Sequence, residues 1–128
     1  MSIALTEDQR ALAQTVSDFL GRGGARAAAR ALLTADAEQL PAYWSDMAKL
    51  GWLGLHLPEE HGGSGFGLPE LVIVAEEMGR AVTPGPFLPT VIASAVLAAA
   101  APAGLQARLL PGLADGSAVG AVALGGEV

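Results

Sequence analysis

The sequence predicts an all-α fold of about six helices that runs into one short strand. Three observations carry this reading. Apolar residues recur at helical spacing in segments bounded by glycine and proline. Alanine is abundant, and aromatics make up only 5% of the 128 residues, a composition suited to close helix packing. Only Ala118–Leu124 reads as a strand, through the apolar run Val119, Ala121, Val122 and Leu124.

The first helix starts behind Thr6, where Thr6 and Gln9 have capping-box spacing and Glu7 and Asp8 suit the positive end of the helix dipole. Leu12, Val16, Phe19 and Leu20 form its apolar stripe, and Gly21, Gly23 and Gly24 end it. A second, alanine-rich helix covers Ala25 to Leu33. A third opens at Pro41, carries Trp44, Met47 and Ala48 on one face, and stops at Gly51. The stretch from Pro58 to Gly67 is loop. Pro69 opens a fourth helix with Leu71, Val74, Ala75 and Met78 inward, broken by Gly79 and the run Thr83–Pro86. The fifth, Pro89 to Ala101, is apolar all round and should be surrounded by protein. The sixth, Leu105 to Leu113, is interrupted by Pro111. The strand cannot satisfy its own hydrogen bonds, so its neighbours must come from elsewhere.

With 128 residues and 52% hydrophobic content, one compact domain with one core is expected. Seven basic against thirteen acidic residues give a net charge of −6, which disfavours nucleic acid and anionic lipid as partners. The absence of cysteine excludes disulfides, thiolate zinc sites and a cysteine nucleophile. It fits a reducing, intracellular compartment, and a cytoplasmic location is expected. The first residues lack the basic and apolar regions of a signal peptide. The most apolar run, Phe87 to Ala101, is shorter than the ~20 residues of a spanning helix.

The chemistry-bearing motifs mostly have ordinary readings. The Gly62–Gly67 loop lacks a P-loop ending and the G-x-G-x-x-G spacing, so a structural loop is expected. His56 and His61 miss the spacing of a helical zinc pair, and no metal site is assigned. Ser64, His61 and Glu60 are too close in sequence to converge as a hydrolytic triad. Glu76 and Glu77 point about 100° apart on a helix and suit a solvated face or an ion pair. Arg22, Arg26 and Arg30 form one basic edge, by default solvated, with the phosphates of a ligand as the alternative partner.

The ordered motifs resemble the acyl-CoA dehydrogenase family across nearly the whole chain. The segments that carry the resemblance are Leu5–Arg10, Leu50–Leu55 with Pro58–Gly65, Glu76–Arg80 and Leu109–Gly116. Gly79–Phe87 resembles a subgroup common in actinobacteria, some of whose members handle bulky or steroid CoA thioesters and some of which combine catalytic and non-catalytic subunits. The resemblance implies a helical N-terminal domain over residues 1–117. Residues 118–128 would then be the first strand of a middle β-domain that is not completed. It also implies α,β-dehydrogenation of an acyl-CoA with FAD as hydride acceptor. The family's carboxylate base lies in its C-terminal domain, so no catalytic residue is assigned here and the chain alone is expected to be inactive.

The resemblance places Phe87, Leu88, Thr90, Val91 and Ser94 at the wall of the acyl pocket, with ordinary core as the alternative. Enlarging Thr90 to Phe should then shorten the accepted acyl group. Val122, Leu124 and Gly125 fall where the family begins to touch flavin, and Gly125 stands where a flavin-contacting threonine is expected. Two functions follow. One is the N-terminal domain of a FAD-dependent acyl-CoA dehydrogenase, contributing acyl wall and subunit packing. The other is a non-catalytic subunit or helical interaction module without its own flavin site. Expected partners are the acyl-CoA substrate and the remaining dehydrogenase domains or a partner subunit, in a homo- or hetero-oligomer.

Overall fold

The computed structural model describes residues 4–125. It contains six α-helices: α1 (Glu7–Arg22), α2 (Ala25–Leu32), α3 (Trp44–Lys49), α4 (Leu68–Arg80), α5 (Phe87–Ala100) and α6 (Ala103–Ala114). Two 3-10 turns, Trp52–Gly54 and Glu59–His61, lie between α3 and α4. The single core expected from length is built as two compact units. One takes the residues up to Tyr43 together with Gly67–Gly85, the other Trp44–Phe66 together with the residues from Pro86 onward.

In the first unit α1 packs against α4 and α2. The capping box forms as the spacing predicts. Gln9 N donates to Thr6 Oγ1 at 3.1 Å, and Thr6 N donates to Gln9 Oε1 at 3.0 Å. Such a cap contributes about 1 kcal/mol. Val16 and Leu20 are fully buried on the expected stripe. Gly24, at φ 68°, makes the left-handed corner into α2. Pro41 does not open α3, which begins three residues later at Trp44. Its ring packs instead on Gly85, where a Cβ would meet it at 3.0 Å, and Tyr43 Oη donates to the Pro84 carbonyl at 3.4 Å. α4 starts with a one-sided box. The Glu70 carboxylate accepts Gly67 N–H at 3.2 Å, but Gly67 has no side chain to return the bond. Gly79 is accommodated within α4, which stops only at Ala81.

In the second unit α6 packs on α5 and on both 3-10 turns. Leu57, Leu110, Leu113 and Ala114 are buried together, with Leu97 and Ala98 against them. Trp44 Nε1 donates to the Gly116 carbonyl at 3.0 Å, tying α3 to the end of α6. α6 runs through Pro111 rather than breaking there. A proline inside a helix costs roughly 3 kcal/mol. Buried Leu110, Leu113 and Ala114 on either side hold the helix together, and Asp115 N still reaches the Pro111 carbonyl at 3.0 Å.

The strand expected at Ala118–Leu124 does not form. Among the described residues there is no β-strand, and 118–125 carry no regular structure. A lone apolar run has no ladder to join, so its short alternation does not suffice. Among the described residues the fold is therefore all-α, without the beginning of a sheet. No helix among the described residues is long and apolar enough to cross a membrane.

Candidate functional site

The first half of α5 gathers most of the residues singled out for an acyl wall. Phe87 and Val91 are buried, and Thr90 and Ser94 are fully buried. Their hydroxyls are occupied from within the chain. Thr90 Oγ1 accepts Gly120 N–H at 3.2 Å. Ser94 Oγ donates to the Val91 carbonyl at 3.0 Å and lies 2.9 Å from His56 Nε2. Gly120 is pressed so closely onto this face that a Cβ would sit 2.7 Å from Ala93 Cβ and 3.3 Å from Thr90 Cα. A Phe at position 90 would therefore overpack this clasp before it met any ligand.

Leu88 points the other way and is 55% exposed. With Ile92 at 44% and Val96 at 51%, it forms an i, i+4, i+8 stripe of uncovered apolar surface. The expectation that α5 is surrounded on all sides holds for one face only.

The flavin-side candidates lie beyond the clasp. Val122 and Leu124 are exposed, and Gly125 has open space around it. These positions offer no side-chain hydroxyl and carry no regular structure.

Sequence distance hid one polar contact. His56 and Ser94 are 38 residues apart, and nothing in the local pattern joins them. His61 has a separate partner, with its Nε2 3.7 Å from Glu60 Oε1. Ser64 Oγ lies against Gly51 rather than against His61. No group of three or more His, Asp or Glu side chains among the described residues could hold a metal. The glycine loop is structural. The N–H groups of Gly63, Ser64, Gly65 and Phe66 all donate to carbonyls of Gly54–Pro58, leaving none for a phosphate.

In the first unit a cavity of about 430 Å³ is lined by Ser17, Arg26, Glu77 and Arg80 among others. The arginine edge read from sequence is split, since Arg22 ends α1 while Arg26 and Arg30 lie on α2. Arg26 Nη2 donates to the Arg80 carbonyl at 3.1 Å. Arg80 itself pairs with Glu76 and Glu77, which raise its pKa. These charges largely satisfy one another.

Residues 6–117 match the family described as acyl-CoA dehydrogenase, N-terminal domain. Acyl-CoA dehydrogenase IpdE2 of Mycobacterium tuberculosis is 38% identical over 120 residues, which are 92% of this chain and 37% of that protein. Among solved structures, a Tcur3481-Tcur3483 steroid ACAD variant superposes with a TM-score of 0.76 at 35% identity, covering 87% of this chain and 30% of that one. The ChsE4-ChsE5 complex from Mycobacterium tuberculosis gives 0.69 at 26% identity, covering 91% and 30%. The chain thus spans about a third of the length of these relatives.

Proposed function

Because the chain belongs to the acyl-CoA dehydrogenase family, whose cofactor is FAD, we propose that it serves as a helical interaction module of that fold. In this reading it docks on a partner subunit or domain and forms no flavin site of its own. The observation that carries this is the bare face of α5, where Leu88, Ile92 and Val96 stand exposed in line. An apolar stripe of that kind gains by being covered. Two solved relatives are named as pairs of proteins, which supports the same direction. In this reading the helical domain spans residues 1–117, close to the stretch 6–117 that matches the family's N-terminal domain. A cytoplasmic setting is supported by the lack of cysteine.

A second reading has its own support. IpdE2, matched over only 37% of its length, is named an acyl-CoA dehydrogenase, which favours a chain that is one domain of such an enzyme. There α5 would face the acyl group of a CoA thioester through Leu88, with Phe87, Thr90, Val91 and Ser94 behind it as support.

Titration of the purified chain with FAD, followed by gel filtration read at the flavin band, tests the module reading. Flavin is expected to elute free of protein. Stoichiometric co-elution would overturn the module reading and restore Val122, Leu124 and Gly125 as cofactor contacts.

A further inference from the structure

Among the described residues one ring nitrogen of the second unit has no hydrogen-bond partner. It is Nδ1 of His56, which is also shut off from solvent. The other nitrogen, Nε2, lies 2.9 Å from Ser94 Oγ, which lies 3.0 Å from the Val91 carbonyl oxygen. A carbonyl can only accept, so it takes the single hydroxyl proton of Ser94. Ser94 must then accept from the ring, which fixes the proton of neutral His56 on Nε2 and leaves a lone pair on Nδ1. We propose that His56 and Ser94 form a latch that fastens the 52–57 turn to α5, and that a second proton on the ring, at Nδ1, works against it, so that acidification loosens α5.

A second proton would have to sit on Nδ1. It would create a charged N–H with nothing to accept it, which is costly in a buried position. The charged groups on the surrounding elements are Asp46 and Lys49 on α3, Glu59, Glu60 and His61 on the second 3-10 turn, Arg108 on α6 and Asp115 just after it. Asp46 pairs with Lys49, Glu60 lies by His61, and Asp115 accepts Ser117 N–H. None of them contributes to the titration of His56. Burial pushes the ring below the ordinary histidine value of 6.5, and the Val91 carbonyl opposes this from the Nε2 side, since Nδ1 has no partner. The unfolded chain therefore takes up the proton first. The stabilisation is complete above about pH 6.5 and is lost as pH falls from there through the folded value.

Two measurements on the chain between pH 8 and 5 test the latch: nitrogen–proton correlation spectra of the imidazole, and urea unfolding. The spectra should show the Nε2–H tautomer at pH 7. Below pH 6.5 the unfolding constant should rise by up to about tenfold per pH unit on account of this one site. His56→Gln can still donate to Ser94 but cannot titrate, so that component of the rise should vanish. A ring protonated on Nδ1 at pH 7, or an equal rise in His56→Gln, overturns the proposal. Should His56→Gln fail to fold, Ser94→Ala decides. Without the hydroxyl to fix the proton a mixture of tautomers is expected, and an unchanged Nε2–H spectrum overturns it.

Discussion

Val82 sits at φ 51°, in the left-handed region that β-branched residues avoid. The reason is the way α4 ends. Thr83 N–H reaches the Met78 carbonyl at 2.9 Å and Val82 N–H reaches that of Gly79 at 3.1 Å. This is the paired closure of a Schellman cap, whose left-handed residue is usually glycine. Val82 is 61% exposed, so its side chain returns little packing for the strain. Val82→Gly should therefore stabilise the first unit by about 1 kcal/mol, read as a higher urea midpoint. A lower midpoint would mean that the valine makes contacts outweighing its backbone strain. His56 and Gly120 teach the complementary lesson. Each is defined by a partner dozens of residues away, so the sequence offers no local signal for either.

At the level of elements, the loop from Pro58 to Phe66 owes its path to one glycine with no alternative. A Cβ on Gly63 would lie 2.0 Å from the Leu57 carbonyl oxygen, which is backbone and cannot swing aside. Gly63→Ala should lower stability by roughly 1–3 kcal/mol, the range of overpacking in a tight site, with the loss measured by urea or thermal unfolding. An unchanged midpoint would show that this loop relaxes freely. Elements marked by caps and periodicity were legible in the sequence. α1 starts behind Thr6 as its box predicts, and α4 buries Leu71, Val74 and Met78 as its spacing predicts. Elements whose outcome depends on distant neighbours were not. Pro41 is drawn away from α3 by Gly85, Pro111 is carried by the core on both sides, and the run at 118–124 lacks a pairing strand. The acyl-wall set was legible as a cluster on α5, but not which of its members face inward.

For the whole molecule the dominant feature is the uneven α5, filled on one side by the chain's own residues and bare on the other. Lysines at 88 and 92, introduced as Leu88→Lys with Ile92→Lys, should leave the fold intact because both side chains are exposed. In sedimentation runs at rising concentration the unaltered chain should show growing apparent mass, as one copy stands in for the missing cover, and the double variant should not. An unaltered chain that stays monomeric throughout would argue against docking through this face.

The clasp between Thr90 and Gly120 also governs how the chain yields to an exopeptidase. An enzyme trimming inward that has reached Gly125 meets five exposed residues without regular structure. At Gly120 it meets a residue wedged against Ala93 and Leu113 with its N–H bonded to Thr90. Two residues further in, Ala118 N–H is held by the Gly112 carbonyl at 2.9 Å. Trimming thus has a defined stopping point, and the durable product is the helical body with its last residue pinned to α5.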